Sequence, residues 1–133
     1  MTSLVTYSGN LRTSSTHIQS GSVIISDAPV DNNGKGEAFS PTDTVANALA
    51  SCMFTVMGIK AAGMDVDFSG STAEVTKHMQ AEPRKISKIE VVFNMSIAAD
   101  DKTRTILERT ALTCPVYLSL HPDIEKAVSF NWK

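Results

Sequence analysis

The sequence is poor in cysteine, has no excess of positive charge, and holds no long uninterrupted apolar run. Two cysteines, Cys52 and Cys114, stand 62 positions apart. That excludes a disulfide-stapled scaffold and leaves free thiols or a transient redox pair, as suits a reducing compartment. Lysine and arginine together number 12 against 14 acidic residues, a formal net charge of −2. Without a basic surface, nucleic acid and anionic membranes are poor partners; small molecules and other protein chains fit better. The uncharged stretch between Asp43 and Lys60 is interrupted by Asn47 and Ser51 and reads as a buried helix too short to span a bilayer. The first residues, MTSLVTYSGNLR, lack the basic flank and apolar core of a secretory leader, so the expected location is cytoplasmic. No internal repeat or low-complexity segment is visible.

What is present suits one globular domain over residues 1–133. Hydrophobic residues make up 42% and charged residues 20%, and a chain of this size buries roughly 65–70% of its unfolded surface. Val5, Tyr7, Gly9 and Leu11 alternate with polar residues at the period of a half-buried strand, and Val23 to Ile25 supply another. DAPVDNNGKGEAF, residues 27 to 39, is rich in turn formers and reads as a loop. A helix then starts at a marked boundary: Ser40 suits the N-cap, Pro41 the first helical position and Asp43 the first turn. Val45, Leu49, Cys52, Met53 and Val56 fall on one stripe of it, and Gly63 closes it.

Beyond the helix, residues 66–79 read as strand with a turn or bulge at Gly70. Ile89, Val91, Phe93, Met95 and Ile97 give the clearest strand in the chain. A second helix is expected from about Asp100 to Leu112, with Leu107, Ala111 and Cys114 in phase. Pro115 prevents continuation and starts a new short helix. Val128, Phe130 and Trp132 alternate as a final strand. The order predicts an α+β fold, helices on a mostly antiparallel sheet.

The residues that could carry chemistry are few. Cys114 precedes Pro115 at a helix start, where unpaired N–H groups favour the thiolate; the alternative is a small buried hydrophobe on the Leu107/Ala111 face. Cys52 lies a dozen residues inside its helix, where burial alone raises a thiol pKa. To react it requires a cation from elsewhere, and Arg12, Arg84, Arg104 and Arg109 are the arginines available. His17, His78 and His121 have no metal-ligand spacing with each other or with the cysteines. His121 permits a Cys/His pair with Cys114, but Leu120-His121-Pro122 reads more naturally as a helix end. In Asp31-Asn32-Asn33-Gly34-Lys35-Gly36, Lys35 stands where a calcium loop needs an oxygen ligand.

SPTDTVANALASC, followed 62 positions after its cysteine by CPV, resembles the OsmC/Ohr family of osmotically inducible and organic hydroperoxide resistance proteins. The order of elements matches over nearly the whole chain. The GKGEAFSPTD lead-in and the Pro83-Arg84 step resemble the OsmC-like branch. This resemblance implies an OsmC-like fold, an intertwined homodimer with sheets wrapped around the long helix, and a thiol peroxidase that acts in oxidative stress defence without a cofactor. By the same resemblance, Cys52 attacks an organic hydroperoxide and becomes a sulfenic acid. Cys114 condenses with it to a disulfide, which a small dithiol or a lipoyl-bearing protein reduces, and Arg12 holds the thiolate. A family glutamate that pairs with this arginine is replaced by Thr42 and Asp43, so Asp43 either takes that role or only caps the helix. The alternatives are a non-catalytic dimer of the same fold that binds an apolar ligand or senses redox state, and a Cys114/His121 hydrolase. Helix-end physics ranks Cys114 as the more acidic thiol, whereas the family resemblance assigns first attack to Cys52.

Overall fold

A computed structural model describes all residues, 1–133. The elements in order are β1 (Ser3–Gly9), β2 (Arg12–His17), β3 (Val23–Asp27), α1 (Pro41–Ala62), β4 (Thr72–Gln80), β5 (Lys85–Asn94), α2 (Asp101–Ala111), α3 (Pro115–Ser119) and β6 (Glu125–Asn131). The α+β expectation holds. The chain forms two compact units, Met1–Val45 and Ala46–Lys133.

The first unit is built on an antiparallel three-stranded sheet in the order β1-β2-β3. Strand β2, RTSSTH, is nearly all polar, which hides it from a reading based on apolar alternation; its backbone pairs on both sides regardless. Asn10 and Leu11, both at positive φ, make the β1–β2 turn, so Leu11 ends the hairpin and does not extend β1. The sheet leaves large apolar side chains in water, among them Leu4, Val5, Tyr7, Val23, Ile24 and Ile25. After β3 the loop includes a short 3-10 turn, Val30–Asn32. Gly34 closes it against the backbone of Ala28, whose carbonyl oxygen would lie 1.7 Å from any added Cβ, so no other residue fits there.

The start of α1 is fixed by reciprocal hydrogen bonds. Ser40 Oγ accepts from Asp43 N–H at 3.0 Å, and Asp43 Oδ2 accepts from Ser40 N–H at 3.0 Å. This is a capping box with Pro41 following the cap. Ser40→Ala is expected to lower unfolding stability by about 1 kcal/mol, measured by urea denaturation.

In the second unit α1 buries Ala46, Leu49, Ala50, Met53, Met57 and Ala61. The buried stripe is thus rotated from the expected one: Val45 is exposed, and Cys52 and Val56 are only half-buried. Small alanines fill the inner face and displace the β-branched residues outward. Although α1 is long and apolar enough by composition to cross a membrane, its buried face carries the core of this unit.

The facing sheet runs β4-β5-β6, with β4 antiparallel and β6 parallel to the central β5. The parallel pair requires a crossover, which α2 and α3 supply. Ile89, Val91, Phe93 and Met95 point into the core at period 2, as the alternation predicts. Ile86 is buried out of phase with them, because Ser87 is an extra residue on β5 opposite the His78–Met79 step of β4 and breaks the alternation. Strand β4 begins later than expected, at Thr72; residues 65 to 71 turn instead, with Gly70 at φ +89. Phe93 anchors the core, edge-on to Phe54 (centroids 4.8 Å apart) and stacked on Phe130 (4.9 Å).

Helix α2 is capped by Asp100, whose side chain accepts from Thr103 N–H at 2.8 Å. Its inner face carries Leu107 and Ala111, and Cys114 continues the same phase into full burial. Trp132 is held to α2 by its indole N–H, which donates to Glu108 at 2.8 Å, with the Arg104 guanidinium over its ring.

Candidate thiol site

Two features of the second unit bring Cys114 and Cys52 together. The phase Leu107, Ala111, Cys114 carries the second cysteine inward, and Pro115 stops α2 and starts α3 at that point. Cys114 becomes the N-cap of α3: its backbone is extended (φ −65, ψ 142), and its Sγ accepts from Tyr117 N–H at 3.2 Å. From α1, Cys52 packs against the same core and lies near enough to Cys114 to influence its ionisation. Both thiols are free, Cys114 fully buried and Cys52 half-buried. The juxtaposition joins residues 62 positions apart in sequence.

The ionisation of Cys114 is governed by its burial. Burial pushes the Cys114 thiol pKa up; the Tyr117 amide opposes this, and proximity to Cys52 reinforces it. The lowered thiol pKa expected of Cys114 at a helix start does not result. The amide contact exists, but desolvation outweighs it. Cys114 is shielded from bulk reagents, whereas Cys52 is half-buried and can be reached.

Arg12, the third residue singled out, opens β2 in the first unit. Its guanidinium is held by Asp27 through Nε (2.7 Å) and Nη2 (2.8 Å), with Glu37 at 3.4 Å. Asp27 is itself buried and also accepts from Glu37 N–H at 3.1 Å. The fork-on-fork pairing raises the Arg12 pKa above its ordinary value, chiefly through the Asp27 hydrogen bond. The same bond holds the Asp27 carboxyl below the usual range against the opposing effect of burial. Arg12 thus has two carboxylate partners, Asp27 and Glu37, which apolar patterning does not reveal. One signal was available: an aspartate closing an apolar strand, Val23-Ile24-Ile25-Ser26-Asp27, at a position the sheet buries.

A depressed carboxyl pKa stabilises the fold above the unfolded-state value and ceases to do so as pH falls through the folded one. Asp27→Asn is therefore expected to be less stable than wild type at neutral pH, with the gap closing below about pH 4, where the unfolded carboxyl begins to protonate. Chemical denaturation over this pH range checks it; a gap independent of pH would contradict it.

The remaining candidates have local roles. His17 Nδ1 meets Ser20 Oγ, His78 pairs with Glu90 on β5, and His121 Nδ1 accepts from Asp123 N–H in the turn after α3. An apolar cavity of about 520 Å³ lies between the second half of α1 and residues 65–71, lined by Phe54, Gly58, Val66 and Phe68.

Residues 34–128 match the family model described as OsmC-like protein. The chain is 56% identical to a protein of Psychrobacter arcticus 273-4 described as an osmotic stress induced and detoxification response protein, with 98% of this chain and 96% of that one covered and a TM-score of 0.96. It also shares its fold with an organic hydroperoxide resistance protein OsmC from Legionella pneumophila (13% identity, 98% and 97% covered, TM-score 0.73) and an OsmC-like protein from Mycoplasma pneumoniae (13%, 98% and 94%, TM-score 0.80). A search of curated proteins finds no match. The chain belongs to the OsmC-like family, which includes organic hydroperoxide resistance proteins.

Proposed function

We propose that this protein is a thiol-dependent peroxidase for organic hydroperoxides, with Cys52 as the peroxidatic and Cys114 as the resolving residue. The observation that supports the reading is the proximity of a half-buried Cys52 to a fully buried Cys114 within one core. The exposure of the first sulfur suits attack on a peroxide, and the burial of the second suits a partner that reacts with its neighbour alone. The Cys52 thiolate attacks the outer oxygen of ROOH; an S–O bond forms, the O–O bond breaks, and the alkoxide takes a proton from solvent to leave as the alcohol. The Cys114 sulfur then displaces hydroxide from the sulfenic acid; its own proton departs with that hydroxide as water. The resulting disulfide is returned to two thiols by exchange with an external dithiol or a lipoyl-bearing protein.

Arg12 is assigned the role of cation for the thiolate and the departing alkoxide, with Asp27 and Glu37 fixing its guanidinium. Asp43 is assigned helix capping. We assign the active form as a homodimer in a reducing, cytoplasmic setting. The support for a dimer is the three-stranded β1–β3 sheet, whose apolar side chains are too numerous for a free surface. Analytical ultracentrifugation is expected to give twice the chain mass, and Val5→Asp or Ile24→Asp to shift the species toward monomer.

The test is consumption of cumene hydroperoxide by purified protein with excess dithiothreitol. Turnover well above that of dithiothreitol alone supports the reading. Turnover equal to that background would favour the non-catalytic, ligand-binding alternative.

A further inference from the structure

We propose that the cavity beside the second half of α1 is a binding site for small amines with an aromatic or branched aliphatic body, separate from the thiol pair. Its volume of about 520 Å³ lies within the range of small-molecule sites, roughly 300–1,000 Å³. Phe54 and Ala61 line it from α1, Val66 and Phe68 from the segment that follows. Gly58 keeps the space open: a Cβ there would stand 3.9 Å from the Phe68 ring, in ordinary contact, and a longer side chain would occupy the cavity.

The walls are preformed. The N–H groups of Met64 and Val66 both donate to the Ala61 carbonyl at 2.9 Å, which turns the chain at the helix end. The hydroxyls of Ser71 and Ser96 both donate to the Phe68 carbonyl, at 2.6 and 3.0 Å, and tie the outer wall to the residues just past β5. A site already ordered binds without the cost of ordering it.

The charge at the mouth selects the ligand. Asp65 and Asp67, both exposed, line the cavity, whereas no lysine, arginine or histidine does. The N–H and hydroxyl of Ser69 both donate to Asp67 Oδ1. These bonds hold the Asp67 carboxyl below the usual range, so it is ionised at neutral pH. An ammonium is matched by the carboxylates and by the aromatic faces of Phe54 and Phe68, whose rings stack with centroids 6.0 Å apart. Helix geometry sets this site apart from the thiols: at 3.6 residues per turn, Phe54 and Gly58 stand about 160° and 120° around α1 from Cys52. The proposal therefore does not depend on the peroxidase assignment.

The probe is 2-phenylethylamine, titrated into ¹⁵N-labelled protein and followed by amide shifts, with 2-phenylethanol as the neutral match. The amine is expected to saturate with shifts centred on residues 54–71, and the alcohol to bind about fivefold more weakly, the scale of an exposed ion pair. Gly58→Leu should abolish binding of both. Asp65→Asn combined with Asp67→Asn should bring the amine down to the affinity of the alcohol. No saturable shift, shifts centred elsewhere, or binding unchanged by Gly58→Leu would overturn the proposal. Movement of the same amides on dilution without amine would also overturn it, since a second copy of the chain would then be the occupant. If the leucine variant does not fold, the wild-type comparison decides: equal affinity for amine and alcohol would overturn the proposal.

Discussion

Cys52→Ser is expected to abolish hydroperoxide reduction, by roughly 10³-fold or more, the order seen when a catalytic nucleophile is removed. Serine preserves the size and polarity of the side chain but not a nucleophile that ionises near neutral pH. The partner substitution has a different signature. With Cys114→Ser, the first oxidation proceeds and stops at a Cys52 sulfenic acid, which dimedone traps as a stable adduct. Turnover with a dithiol is slowed because no internal disulfide forms. The two variants separate attack from resolution, and the burial difference predicts which cysteine does which. A Cys114/His121 hydrolase would reverse the pattern, since its nucleophile would be Cys114. Cys52→Ser would then leave ester turnover intact, but His121 is engaged with Asp123 in the turn after α3.

Phe93→Ala is expected to have the largest effect on stability, a loss of about 3–5 kcal/mol. Phe93 is completely buried at the centre of β5, edge-on to Phe54 and stacked on Phe130. It therefore joins α1, which carries Cys52, to β5 and β6. Truncation leaves a cavity among three elements, and a domain whose total stability is about 5–15 kcal/mol loses a large part of it. A melting-temperature drop of about 10–20 °C should accompany the change, read by differential scanning calorimetry. A drop of a few degrees would mean that neighbouring side chains collapse into the space.

Local chemistry was the part of the structure most visible in the sequence. Ser40-Pro41 and Cys114-Pro115 mark helix starts because capping is decided within three or four residues, and both boundaries fall where the caps put them. The β5 alternation is visible for the same reason. Pairings set by the fold as a whole are less so. Strand β2 forms from polar residues because its two neighbours supply hydrogen-bond partners. Asp27 finds Arg12 across a sheet register, 15 positions away. The contrast is sharpest at Cys114. Its position before Pro115 gives the cap but not the ionisation, because a cap is a local hydrogen bond and desolvation depends on everything packed around the sulfur. On α1, spacing alone placed Cys52 on the apolar stripe; the alanine-rich inner face moved it to the margin, where a reagent can reach it.

The most direct measurement is a peptide map after one equivalent of cumene hydroperoxide is added to the reduced protein. The account predicts loss of two hydrogens per chain and a disulfide joining the peptides that contain Cys52 and Cys114, absent when either residue is serine. Two thiols still free after the peroxide is supplied, or a disulfide linking Cys52 only to Cys52 of another chain, would contradict it.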